Sequence, residues 1–151
     1  MKKILILSML LFLTGNAFSQ ENHRELNWLT NFEKAQKIAQ KENKPMLLLF
    51  TGSDWCPPCK AMHRDLFTND EFIKLSKKFV LVFVDFPKRK QLSPEQREHN
   101  YRLASKYHRG GVPTMVFLKP SGEIISKISG YLYGKPGRNI QAMKKVLENF
   151  K

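Results

Sequence analysis

The sequence predicts an α/β fold, a central mixed β-sheet flanked by helices on both faces. Two runs of strand length, Met46 to Phe50, apolar throughout, and Phe79 to Phe86, rich in Val and Phe, read as buried and central strands. Segments with apolar residues at helical spacing lie between and around them, and most open on a capping signature. At 151 residues, 42% of them apolar, the chain has length for one domain behind a short processed segment. Eight glycines and eight prolines exclude collagen-like and low-complexity classes, and two cysteines are too few for a disulfide-stapled miniprotein or a four-thiolate metal site.

Each element follows in order. Thr30-Asn31-Phe32-Glu33 is a capping box with Thr30 as the expected cap, and Phe32, Ala35, Ile38 and Ala39 repeat behind it, giving a helix to about Glu42. Asn43-Lys44-Pro45 stops that helix before the Met46 to Phe50 strand. A loop, Thr51 to Trp55, leads into Cys56-Pro57-Pro58-Cys59, whose prolines suit a first helical turn, with Lys60 to Phe67 helical behind them. Thr68-Asn69-Asp70-Glu71 opens a short helix with Phe72 and Leu75 inward. After the Phe79 to Phe86 strand and a basic loop, Pro87 to Leu92, Ser93-Pro94-Glu95-Gln96 supplies the cap, the N1 proline and the N3 glutamine of a helix ending near Tyr107. Val112 to Leu118 is a strand with Pro113 at its start. The turn Pro120-Ser121-Gly122-Glu123 returns it as an antiparallel strand, Ile124 to Ser129. Asn139 to Phe150 is the final helix, with Ile140, Met143, Val146 and Leu147 on one face. The resulting order is α-β-α-α-β-α-β-β-α.

The first nineteen residues have a separate design. Lys2 and Lys3 precede a ten-residue apolar run, Ile4 to Leu13, interrupted only by Ser8, and Ala17-Phe18-Ser19 places small residues before a cut ahead of Gln20. This is the pattern of a signal peptide, and the run is too short to span ~30 Å of hydrocarbon comfortably. Residues 1–19 are therefore read as removed and 20–151 as the working domain. The mature protein is expected in the periplasm or outside the cell, where disulfides persist. Export takes away two lysines and no acid, lowering the formal charge from +13 to +11. The runs Lys77-Lys78, Lys88-Arg89-Lys90 and Lys144-Lys145 read as solvated faces. No interleaved aromatic and basic motif points to nucleic acid.

The chemistry is expected at Cys56 and Cys59. A two-residue spacer at the start of a helix brings two sulfurs within bonding reach, and the orphan N–H groups and dipole of the helix N-terminus favour a thiolate. Cys56, at the edge of the first turn, is the expected exposed nucleophile. Cys59, a turn inside, is the expected covered sulfur that resolves a mixed disulfide. Other readings exist. An inert disulfide closing so small a loop would constrain little of the unfolded chain. A zinc site could recruit His63, four residues after Cys59, but it would need a distant fourth ligand. Covalent haem is excluded because Lys60, not histidine, follows Cys59.

Trp55-Cys56-Pro57-Pro58-Cys59-Lys60 and Gly111-Val112-Pro113-Thr114, with Pro113 54 residues after Cys59, together resemble the thioredoxin superfamily over residues 26–150. The resemblance implies a thioredoxin-like fold, a cis peptide before Pro113, and an edge at Val112 that pairs with an extended substrate segment. It implies substrate-binding roles for Trp55, Val112 and Pro113, and supporting roles in the active-site loops for Pro57, Pro58, Lys60, Gly111 and Thr114. No metal and no cofactor beyond the dithiol itself is implied. Trp28, the Ala35/Ala39 helix and Lys44-Pro45 are similar to one branch in particular: secreted bacterial thioredoxin-like proteins and the terminal domains of membrane thiol-reductant transporters. The chain departs from cytosolic thioredoxin in two ways. Leu49 or Phe50 falls where thioredoxin buries an aspartate that accepts the resolving cysteine's proton, and Pro57-Pro58 replaces Gly-Pro.

The expected function is an exported thiol–disulfide oxidoreductase, with reduction of protein disulfides preferred. Its expected partners are protein or peptide disulfides and thiols, together with an electron-donating or electron-accepting redox partner that can lie in the membrane; a monomer is expected, and nucleic acid is not. The rival readings are an oxidase or isomerase acting on folding proteins, and a non-catalytic basic binding module with a vestigial CxxC.

Overall fold

A computed structural model describes residues 26–150, so the expected signal peptide lies outside the described residues. Five strands form one sheet in the order β1-β3-β2-β4-β5. The strands are β1 (Trp28–Leu29), β2 (Met46–Thr51), β3 (Val80–Asp85), β4 (Thr114–Leu118) and β5 (Ile124–Ser129). β1, β3 and β2 run parallel, β4 is antiparallel to β2, and β5 is antiparallel to β4. The helices are α1 (Phe32–Glu42), α2 (Pro57–Asp65), α3 (Asp70–Ser76), α4 (Pro94–Tyr107) and α5 (Gly137–Asn149). The mixed sheet with helices on both faces is the arrangement the sequence predicts.

β2 shows why its apolar run is continuous. Successive side chains of a strand point to opposite faces. Leu47 and Leu49 enter a core with Ala61 and Met62 of α2, Phe72 of α3, and Ile140, Met143 and Val146 of α5. Met46, Leu48 and Phe50 enter a second core with Phe32, Ala35 and Ala39 of α1 and Leu103 and Tyr107 of α4. Either face carrying a polar side chain would leave it without water, so both are apolar.

Several boundaries differ from expectation. The cap of α1 is Asn31 rather than Thr30, its side chain accepting from the Lys34 N–H at 2.7 Å. The cap of α3 is Asn69 rather than Thr68, accepting from Glu71 and Phe72, while the Thr68 hydroxyl donates to the Arg64 carbonyl. Ser93 caps α4 as expected. α5 opens two residues before Asn139, and Asn139 is buried, its side-chain amide 3.2 Å from the sulfur of Met115. β4 begins after Pro113, which has no N–H to give to a ladder. β1 was not expected. Its Trp28 packs 5.4 Å from Phe67 and 5.7 Å from Phe83, ring centre to ring centre.

Polar contacts seat α4 on the sheet. Buried Asn100 donates to the Asp85 carbonyl at 2.8 Å and accepts from Gln96 at 2.8 Å. That bond fixes α4 against the end of β3, beside the loops that carry the cysteines.

Candidate active site

β2 delivers the chain to a tight turn at Gly52. The Cys56 N–H donates to the Gly52 carbonyl at 2.9 Å, and the indole of Trp55 folds back over Gly52. A Cβ there would lie 2.5 Å from the indole, so this close approach requires glycine. Cys56 is the N-cap of α2, with Pro57 and Pro58 at its first two positions. A cap side chain normally accepts from the N–H of N2 or N3. Proline at N2 has none, so the Cys56 sulfur accepts from one helix amide, that of Cys59, at 3.3 Å. The Gly52 N–H points at the Cys59 sulfur at 3.5 Å.

The two cysteines form a disulfide, with Cα atoms 5.2 Å apart. In this state Cys56 is 2% exposed and Cys59 5%, so the expected contrast between an exposed and a covered sulfur is absent. With the ring closed, Cys56 is covered by the turn from Gly111 to Pro113, its sulfur 3.6 Å from the Val112 carbonyl. The Val112–Pro113 peptide is cis, as the resemblance implies. Thr114 closes that turn, its hydroxyl donating to the Gly111 carbonyl at 2.9 Å. The fold thus brings Trp55, Cys56 and Cys59 together with Val112 and Pro113, which lie far from them in the chain. Lys60 is exposed on α2.

The Cys59 side borders a cavity of about 320 Å³ that Lys60, His63, Ser53 and Asp85 also line. His63 is exposed and packs edge-on against Phe67 at 5.4 Å. Among the described residues no group of three or more His, Cys, Asp or Glu side chains is placed to hold a metal. Leu49 lies in the core on the α2 side and Phe50 in the opposite one, so β2 presents no carboxylate to the cysteines. The carboxylate that lines the Cys59 cavity comes instead from the end of β3. Asp85 accepts from both the N–H and the hydroxyl of Ser53, at 2.9 and 2.5 Å.

The sequence reads Asp54 as no more than a loop residue, and the structure gives it a larger part. Its carboxylate accepts from three consecutive backbone N–H groups, those of Lys88, Arg89 and Lys90, at 2.9, 2.7 and 2.9 Å. These bonds, that from Lys88 foremost, hold its pKa down at about 2 against partial desolvation. Trp55 adds a second tie, its indole N–H donating to the Phe86 carbonyl at 2.7 Å, and the Lys88 ammonium sits 4.3 Å from the centre of the indole ring. The loop after β3 is thus clamped to the residues just before Cys56. An aspartate two residues before the first cysteine, facing a loop rich in basic residues, was the available signal.

A dithiol at a helix N-terminus, on this sheet and beside a cis-proline turn, defines a thiol–disulfide oxidoreductase. Residues 32–147 match the thioredoxin-like domain family, and the chain belongs to it. The chain is 30% identical to disulfide bond reductase DsbH of Chlamydia pneumoniae, over 82% of this chain and 74% of DsbH. It is 27% identical to the thiol:disulfide interchange protein DsbD of Pasteurella multocida over 78% of this chain, which spans only 20% of that protein. A solved structure of a DsbH oxidoreductase superposes with a TM-score of 0.72 at 28% identity, covering 82% of this chain and 85% of the other.

Proposed function

We propose that this protein is an exported reductase of protein disulfides. The observation that carries the direction is the sparse cap on Cys56. Thiolate stabilisation favours the reduced form and makes a disulfide oxidising. Here Pro57 and Pro58 remove two of the donors a helix N-terminus normally offers, and one amide remains for the Cys56 sulfur. The Cys56 thiolate is therefore only moderately stabilised, and the pair gives its electrons away readily. The name disulfide bond reductase, carried by the DsbH relative, supports the same direction.

In the reducing cycle the Cys56 thiolate attacks one sulfur of a substrate disulfide. A Cys56–substrate bond forms, the substrate S–S bond breaks, and one substrate thiolate leaves and takes up a proton. The Cys59 thiolate then attacks the Cys56 sulfur, closes the Cys56–Cys59 disulfide and releases the second substrate thiol. Two electrons have passed to the substrate, and a donor dithiol restores the pair. Trp55, Val112 and Pro113 form the edge on which the substrate chain lies. The dithiol itself is the redox group, and the cycle uses no other cofactor.

The roles are testable by substitution. Cys56→Ser is expected to abolish dithiothreitol-driven insulin reduction, whereas Cys59→Ser is expected to accumulate mixed disulfides through Cys56. Wild-type turnover by Cys59→Ser, or alkylation reaching Cys59 before Cys56 in the reduced protein, contradicts the assignment.

Export rests on Lys2, Lys3, the Ile4 to Leu13 run and the Ala17-x-Ser19 site. The mature N-terminus is expected at or near Gln20 in a cell-envelope compartment. N-terminal sequencing of protein from the native host reads this directly, and an intact Met1 on cytosolic protein overturns it.

A further inference from the structure

From the disulfide's edge a groove of about 870 Å³ runs between Trp55 and Val112 on one side and α4 on the other. Lys88, Lys90 and Arg97 line it, together with exposed Trp55 and Tyr101, which are 37% and 58% accessible. Asp85 supplies its one carboxylate, which is already occupied by Ser53. The neighbouring Asp54 is satisfied by three backbone N–H groups, so it fixes the loop without neutralising its lysine side chains.

What sets this basic wall apart is its place in the groove beside Trp55, for among the described residues other lysines, Lys77, Lys78 and Lys145 among them, are unpaired too. Lys144, in another basic run, pairs with Glu71, and Glu98 on α4 pairs with Arg102. Among the described residues none of Lys88, Lys90 and Arg97 pairs with a carboxylate. Lys88 is instead laid over the Trp55 ring, immediately before the nucleophile. A cation placed this way is ordered before any substrate arrives, so less side-chain entropy is lost when a carboxylate meets it.

We infer that the groove selects its redox substrate by charge: it takes an extended polypeptide segment whose reacting cysteine is flanked by aspartate or glutamate. The cysteine sits at the Cys56–Val112 edge and the acidic flank lies along Lys88, Lys90 and Arg97. This rests on the redox function proposed above and adds a substrate class to it.

The test uses the purified full-length protein and two disulfide peptides of matched sequence, one with Asp/Glu flanks and one with Lys/Arg flanks. Bis(2-hydroxyethyl) disulfide, small and uncharged, normalises the rates. Three exposed charge pairs together amount to roughly a tenfold preference in kcat/KM. The expected result is such a preference for the acidic peptide at low ionic strength, shrinking as salt is raised toward a Debye length of ~3 Å at 1 M. The triple variant Lys88→Glu/Lys90→Glu/Arg97→Glu is expected to reverse it. Equal rates on both peptides with the wild-type protein overturn the inference without needing the variant, and so does a preference that salt and charge reversal leave unchanged. Failure to turn over any of the three disulfides overturns the redox function itself, and the substrate class with it.

Discussion

Asp54 is the residue whose role is least visible in the sequence and plainest in the structure. In the chain it is one polar residue in a turn. In the fold it collects three N–H groups from a loop more than thirty residues away. Local patterning reports capping and periodicity, and it carries no sign of a bond between two loops. Cys56 and Cys59 were legible because their spacing and proline spacer are local, and Pro113 was legible through its likeness to a known motif. Asp85 beside the Cys59 cavity was not, because its strand position reads as the end of a core strand. The Asp54 bonds also have a pH signature. The charged carboxylate is the form that accepts them, so its folded pKa falls from 3.8 to about 2. The hold on Lys88 to Lys90 is fully present above about pH 4 and is lost as pH falls through about 2. Amide exchange should show those three N–H groups protected at pH 5 and progressively less so toward pH 2. In Asp54→Ala they should be unprotected at pH 5. Equal protection in the variant would mean that the loop is held by other contacts.

At the scale of elements, most boundaries came from caps, and two of the errors came from the same source. Thr30-Asn31 and Thr68-Asn69 each offer two residues able to cap, and asparagine caps at least as well as threonine. The structure uses the asparagine both times, which moves each helix start by one residue. β1 escaped because two residues carry no period. The Pro57-Pro58 start of α2 was read correctly as a first turn, and its consequence is electrostatic. Restoring one donor at N2 with Pro58→Ala gives the Cys56 thiolate a second N–H. A hydrogen bond to a charged group contributes ~1.5–3 kcal/mol. The Cys56 pKa should therefore fall by about one unit, at ~1.4 kcal/mol per unit. The potential should rise by up to ~30 mV for the two-electron couple. Thiolate absorbance titration and redox equilibration check the two shifts together. An unchanged pKa would show that the N2 amide is not aimed at the sulfur.

Over the whole molecule, the sequence indicated the layers but not the surface between them. Apolar runs of strand length dictate a sheet covered on both sides, and β2 pairs with parallel β3 on one edge and antiparallel β4 on the other. This pairing sets the loop after β2 beside the turn before β4, and so joins two motifs 54 residues apart into one site. The grooves around that site depend on loop–loop bonds and on how α4 is seated, and the chain order of residues reveals neither. The central claim is that the assembled dithiol is reducing. Its most direct test is the reduction potential of the Cys56–Cys59 pair, measured by equilibrating the protein with glutathione and dithiothreitol buffers and reading the fluorescence of Trp55. A sparsely capped Cys56 thiolate predicts a value nearer thioredoxin's ~−270 mV than the ~−120 mV of a strong oxidant. A potential above roughly −150 mV would contradict the claim and make the protein an oxidant of thiols.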